Sequence, residues 1–229
     1  MQRGLFITFE GVDGSGKSTQ MRRAARYLRQ GGHRVVVTRE PGGTRTGERI
    51  RGILLATETG ALAPLAELAL MYAARAQLLE EVVRPALGRG EVVLSDRYNT
   101  ASFAYQGYGR ELGVTTVRAF DRIICGQTQP DLTIILDLDP DFALGRARGR
   151  ETRRRSRYSR FEEQSLAFHR RVRAGYLAMA RTAPARFKVV RADQPIKAVQ
   201  REIEALLDQL LSRAGRKTRR SKQDNSQRE

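Results

Sequence analysis

The chain has 229 residues, 40% hydrophobic and 29% charged, a globular balance at a length that suits one domain whose core needs no disulfide or metal staple. Its single cysteine, Cys125, excludes an intrachain disulfide framework and a cysteine-built zinc site. No run approaches the ~18–20 apolar residues of a membrane span, and Met1 to Glu10 meets an acid too soon for a secretory leader, so the expectation is a cytoplasmic protein of a reducing compartment. The net charge of +17 is unevenly placed. Residues 145–160 hold eight Arg and one Glu, and residues 213–229 hold seven bases and two acids. The excess belongs mainly to one internal segment and one tail, not to a broad basic face for nucleic acid.

Leu5 to Glu10 is an apolar run of strand length, and the glycines of Gly11 to Gly16 end it. From Lys17 the apolar residues Met21, Ala24, Ala25 and Leu28 follow helical spacing, until Gly31-Gly32 stops the helix. Val35-Val36-Val37 predicts a buried strand over 34–38. Ile50 to Leu55 reads as helical, as does Leu62 to Leu87, with Pro85 ending or kinking the last turn. Val92-Val93-Leu94 is a third strand. Leu132 to Leu136 is a fourth, continuously apolar as parallel strands are. A helix starts at Phe142, a long amphipathic one covers Phe161 to Arg181, Phe187 to Val190 is a fifth strand, and Ile196 to Leu211 closes the domain. Strands alternating with helices predict an α/β fold, a five-stranded parallel sheet between two helical layers. The expected domain is 1–212. The polar tail 213–229 lacks apolar periodicity and is expected to be disordered.

Gly11-Val12-Asp13-Gly14-Ser15-Gly16-Lys17-Ser18 matches G-x-x-x-x-G-K-[ST] between a strand and a helix. Such a loop turns successive backbone N–H groups toward an anion at a helix N-terminus. Lys17 is expected to reach the β- and γ-phosphates of a nucleoside triphosphate, and Ser18 to hold Mg²⁺. The motif predicts the P-loop NTPase fold and a triphosphate site without fixing a reaction.

Three further segments follow strand ends, where open α/β sheets bind ligands. In Thr38-Arg39-Glu40-Pro41-Gly42-Gly43-Thr44 a constrained turn places Arg39 to hold an anion. In Ser95-Asp96-Arg97-Tyr98 the acid can serve Mg²⁺ through water and Arg97 can fork onto a phosphate. Tyr105-Gln106-Gly107 offers an aromatic ring with a polar tip, then an amide.

Taken in order with Tyr72-Ala73-Ala74-Arg75-Ala76-Gln77 and the arginine-rich stretch before Phe161-Glu162, these landmarks resemble the thymidylate kinases of bacteria over roughly residues 4–212. The resemblance implies an ATP- and Mg²⁺-dependent kinase of thymidine 5′-monophosphate in dTTP synthesis, acting as a homodimer through the helices around 62–87 and 114–126. It implies that Asp13 reaches the 3′-hydroxyl, that Arg39 and Arg97 hold the 5′-phosphate, and that Arg75 and Ser102 stand near the base. It also implies that Tyr105 crowds the sugar's 2′ position and that Gln106 belongs to the thymidylate site. Where the family carries a base-stacking aromatic, this chain has Met71, with Tyr72 next to it.

Residues 145–160 are expected to form a lid whose arginines meet the ATP phosphates, since phosphoryl transfer needs positive charge on the transferring group. In the family this chain resembles, an arginine for that charge comes from the P-loop or from the lid, and with Gly14 in the P-loop the resemblance implies that the lid supplies it. Arg146, Arg148 and Arg150 match the lid pattern, with Arg150 preferred as the catalytic residue and Arg148 beside it. Two other readings stand beside this one. One is a kinase of another monophosphate or of a deoxynucleoside. The other is a P-loop nucleic-acid binder, although nucleic acid is not expected as a functional partner. His33 and His169 read as surface residues, and Cys125 as buried and inert.

Overall fold

The computed structural model describes residues 3–57, 61–143, 161 and 164–226. Five strands, β1 (Phe6–Glu10), β2 (Val35–Arg39), β3 (Val92–Asp96), β4 (Leu132–Asp137) and β5 (Phe187–Arg191), form one sheet in the order β2-β3-β1-β4-β5. Every neighbouring pair is parallel. The fold class is therefore the expected one. Phe9 lies level with Asp96 on one side and Ile134 on the other. The strand ends therefore finish together, and β1, where the strand order reverses, opens a crevice there.

Alternation along β1 sends neighbouring side chains to opposite faces. Ile7, Phe9 and Leu94 join the larger core with Met21, Ala25 and Leu28 of α1 (Lys17–Gln30). Val172 and Tyr176 of the long helix Leu166–Thr182 belong to the same core. Phe6 and Val93 join a second core with Leu68, Tyr72 and Leu78 of the helix Pro64–Leu78, and with Val117 of the helix Val114–Ile124. Among the helices of the described residues, in chain order, are α1, α2 (Arg45–Leu55), α3 (Pro64–Leu78), α4 (Arg84–Gly88), α5 (Asn99–Ser102), α6 (Val114–Ile124), α7 (Leu166–Thr182) and α8 (Ile196–Ser226).

Several boundaries differ from the sequence expectation, each for a physical reason. β2 is an edge strand, not a buried one: Val35 and Val36 are half-buried and Val37 is 41% exposed. A β-branched run favours extended backbone wherever the strand sits in the sheet. The helix expected over 62–87 is α3, a π-helical turn at Leu79–Val83, and α4. Pro85 lacks the N–H an uninterrupted helix needs, and the widened turn leaves it in the first turn of α4. α7 begins only at Leu166, where the Ser165 hydroxyl accepts from Phe168 N–H at 3.2 Å. α8 continues to Ser226 instead of stopping at Leu211, so the tail expected to be disordered carries helical backbone through 226. No proline interrupts 213–226 and Gly215 is its one glycine, so nothing local breaks the helix where the apolar spacing ends. His169 is buried, 1% exposed, with its ring edge-on to Phe168 at 5.4 Å. Cys125 is buried as expected, and burial pushes its thiol up to about 12.

Candidate active site

The P-loop leaves β1 close against neighbouring backbone. A Cβ on Gly14, at φ +86°, would stand 2.0 Å from the Ala143 carbonyl oxygen, so no side chain fits there. Gly16, at φ +91°, caps α1. Val12 is buried in the larger core and Ser15 is buried beside the loop. Within the loop Ser15 N–H donates to the Val12 carbonyl at 3.3 Å. Lys17 is 6% exposed, and its ammonium donates to the carbonyls of Gly11 at 3.1 Å and Val12 at 2.9 Å. Burial and the charge of Arg97 hold Lys17 down at about 8, against the pull of Asp13. Ser18 Oγ donates to Asp96 Oδ2 at 2.7 Å, across from α1 to the end of β3.

Arg97 directly follows β3, at φ +72° in the left-handed region, a conformation that costs of order 1–3 kcal/mol for a side chain of its size. Its backbone is pinned by Phe9, which accepts from its N–H at 2.9 Å, and by Ser95 Oγ, which donates to its carbonyl at 2.6 Å. Its guanidinium makes four bonds. Nη1 donates to the Gly11 carbonyl at 2.9 Å and the Tyr176 hydroxyl at 3.0 Å. Nη2 donates to Asp13 Oδ1 at 2.7 Å and the Tyr105 hydroxyl at 3.0 Å. Tyr105 also donates to Asp13 Oδ2 at 3.2 Å. Burial alone would raise the Asp13 carboxyl, but Arg97 and Lys17 outweigh it and hold Asp13 well below the usual carboxylate range.

Across the cavity, Thr44 caps α2 by accepting from Gly47 N–H at 2.9 Å. This places Glu48 in the first turn, where it accepts from Gly43 N–H at 2.9 Å and where both its carboxylate oxygens accept from the single Nη2 of Arg39, at 3.0 and 2.9 Å. One turn further on, Arg51 donates to the Pro41 carbonyl at 2.9 Å. Burial and the charges of Arg39 and Arg97 lower its pKa. Behind this wall Arg75, 2% exposed, donates through Nε to Glu40 Oε2 at 2.7 Å. Its Nη2 donates to Ser102 Oγ and the Tyr98 carbonyl, both at 3.1 Å. Its guanidinium lies over the Tyr72 ring at 4.4 Å. Arg75 Nη1 finds no hydrogen-bond partner among the described residues. Gln106, 1% exposed, gives its amide to buried Glu67 at 2.7 Å. Met71 is half-buried against the larger core, and Tyr72 is fully buried in the second.

Two cavities flank the P-loop. The first, about 180 Å³, is lined by Asp13, Lys17, Ser18, Arg39, Asp96 and Arg97, together with Gly14, Gly16, Glu40 and Arg51. The second, about 310 Å³, lies on the other side of Gly14 and Gly16, against Thr19 and Gln20 of α1 and the segment from Ala192 to Val199. A polar cavity lined by four cations and three carboxylates and a more apolar one meet at a loop built for phosphates. Ser18 Oγ and the Asp96 carboxylate offer the hard oxygen donors Mg²⁺ takes when phosphates complete its shell. Among the described residues no group of three or more His, Cys, Asp or Glu forms an all-protein metal cage. Among those residues, too, no helix is long and apolar enough to cross a membrane.

The profile of the family described as Thymidylate kinase matches residues 9–203. The chain is 46% identical over 215 residues to Thymidylate kinase of Geobacter sulfurreducens, across 93% of this chain and the whole of that protein. It is 49% identical over 210 residues to Thymidylate kinase of Pseudomonas entomophila, across 92% and 98%. The chain belongs to the thymidylate kinase family. A crystal structure of thymidylate kinase from Ehrlichia chaffeensis superposes with a TM-score of 0.72 at 31% identity, covering 90% of this chain and 99% of that one.

The structure brings six expected residues, Asp13, Lys17, Ser18, Arg39, Asp96 and Arg97, to one cavity. It links Tyr105 to them through Asp13 and Arg97, and Arg75 with Ser102 through Glu40. The Gln106 amide donates to Glu67. Arg146, Arg148 and Arg150 lie outside the described residues. Sequence reasoning missed Arg51, Glu10 and Tyr176. Arg51 follows Arg39 by twelve positions, and only the Thr44 cap brings the two to one wall. Glu10 was visible as an acid closing an otherwise apolar strand, and Tyr176 as a polar-tipped ring on the stripe of Phe168 and Val172.

Proposed function

We propose that the chain transfers the γ-phosphoryl group of ATP to thymidine 5′-monophosphate, giving ADP and thymidine 5′-diphosphate on the route to dTTP. The observation that carries this reading is the meeting of Lys17 and Ser18 with Asp13 and Arg97 in one cavity, with the Tyr105 hydroxyl bonded to both Asp13 and Arg97.

The ATP phosphates lie along Gly11 to Ser18, with the base and sugar in the cavity against Gln20 and the Ala192–Val199 segment. Lys17 turns from its loop carbonyls to the β- and γ-phosphates. Ser18, with Asp96 through water, would hold Mg²⁺, which would supply neutralising charge to the triphosphate. Arg97 holds the acceptor 5′-phosphate, with Arg39 and Arg51 on the facing wall, so that its oxygen lies in line with the γ-phosphorus. Asp13 receives the 3′-hydroxyl, and Tyr105 closes the space a 2′-hydroxyl would need. The orphaned donor of Arg75 suits the base with Ser102 beside it, and Met71 packs on the ring face. Gly14 admits no side chain, so the cation that meets the transferring group comes from Arg150 or its neighbours Arg146 and Arg148 in the 145–160 lid. Homodimer assembly and a cytoplasmic setting belong to the same reading.

An ADP-release assay across dTMP, dUMP, UMP, CMP, AMP and GMP tests it. The expected result is the highest kcat/KM for dTMP, with turnover lost on chelation and restored by Mg²⁺. Preference for another monophosphate would overturn the substrate assignment.

A further inference from the structure

The reading above gives no work to Glu10, a carboxylate with no exposed surface at the end of β1. We propose that Glu10 and Tyr176 are positioning residues for the acceptor phosphate, holding Arg97 from its backbone and its guanidinium at once. The inference rests on the reading that Arg97 binds that phosphate.

Glu10 reaches Arg97 by two routes. Oε1 accepts from Tyr98 N–H at 2.8 Å, pinning the peptide that follows Arg97. Oε2 accepts from the Tyr176 hydroxyl at 2.9 Å, and the same hydroxyl oxygen accepts from Arg97 Nη1 at 3.0 Å. The direction of this relay matters. A carboxylate takes the one proton of the phenol, which leaves its lone pairs toward the guanidinium. An amide at position 10 would keep its oxygen for Tyr98 and turn a donor toward Tyr176. The phenol would lose the acceptor for its proton, and Arg97 would lose the anionic end of its chain. Arg97 needs such support because its left-handed backbone persists only where its surroundings over-determine it. The tie also crosses the fold. Tyr176 stands on α7, Glu10 on β1 and Arg97 beyond β3, so one carboxylate fixes three elements around one guanidinium.

A purely structural Glu10 would serve packing alone, and the two substrates separate these roles. Glu10→Gln and Tyr176→Phe should each raise the KM for dTMP about tenfold while the KM for ATP stays within about twofold. Because both act through one relay, the double variant should lose little beyond the worse single variant. Equal rises in both KM values would show a distorted P-loop and overturn the proposal. Unchanged dTMP KM in a folded Glu10→Gln, or effects that multiply in the double variant, would do the same. Should Glu10→Gln not fold, Tyr176→Phe, which removes a single oxygen, decides alone by the same criterion. Arg97→Ala separates the two levels. If it leaves the dTMP KM unchanged, the acceptor reading fails. If it raises that KM while both relay variants do not, only the relay fails.

Discussion

Arg97 and Arg39 line one cavity at the ends of the adjacent strands β3 and β2, yet they are held in opposite ways. The Arg97 side chain is 14% exposed, with both terminal nitrogens bonded inside the fold. The Arg39 side chain is 55% exposed and donates through Nη2 alone to Glu48, itself 42% exposed. A guanidinium held in place loses little freedom when a phosphate arrives, and because its four terminal N–H groups already have acceptors, a phosphate oxygen has to share or displace one of them. An exposed pair screened by water is worth little by itself and must partly open to take a ligand. The same residue type thus supplies a fixed anchor and an adjustable clamp.

The largest expected effect belongs to the anchor. Arg97→Ala should cut kcat/KM for dTMP on the order of 10²-fold or more, and Arg97→Lys should recover little, because one ammonium cannot span four acceptors in a plane. Arg39→Ala should cost about tenfold, mainly in the KM for dTMP. Steady-state kinetics on the three variants would break the comparison if the Arg39 loss matched or exceeded that of Arg97. Tyr105→Phe, which removes the hydroxyl shared by Arg97 and Asp13, should raise the dTMP KM a few-fold and leave the ribose discrimination in place, since the ring remains. Loss of discrimination with the ring intact would move that role from the ring to the hydroxyl.

The smallest expected effect is on stability. Burial pushes Glu10 from 4.5 up to about 7, against Arg97, the Tyr176 hydroxyl, the Tyr98 N–H and Lys17. The folded chain therefore holds this proton more tightly than the unfolded one. The stability it contributes is fully present below about 4.5 and is lost as pH rises through about 7. Lys17, lowered from 10.5 to about 8 chiefly by burial, works the other way, and stability returns as pH rises from about 8 toward 10.5. Calorimetry on the ligand-free protein should find a fall in Tm of a few degrees between pH 5 and 7. That fall should be smaller in Glu10→Gln. An equal fall in the variant would place the proton on another group.

How far the sequence reached depends on whether an interaction is local. The P-loop, the alternating elements and the residues at the ends of β1, β2 and β3 follow from spacing, because strand ends in a parallel sheet converge by geometry. The edge position of β2 was not legible, because order within a sheet depends on which helices cover it. The burial of His169 escaped for a similar reason, since it follows from how α7 packs. Gln106 shows the limit at the site. Its place beside Tyr105 suggests a ligand contact, and nothing local shows that Glu67, thirty-nine positions away on α3, also accepts from its amide. Glu10 and Tyr176 are 166 positions apart and meet only once α7 lies over the sheet.

The central claim is that a preformed Arg97 cage recognises the acceptor's phosphate. Calorimetric titration of dTMP and of thymidine, which lacks that phosphate, into the wild type and Arg97→Ala tests it most directly. The account predicts a large preference for dTMP in the wild type that shrinks at least about tenfold in Arg97→Ala, with thymidine affinity little changed. An unchanged dTMP-to-thymidine ratio in a folded Arg97→Ala would contradict it.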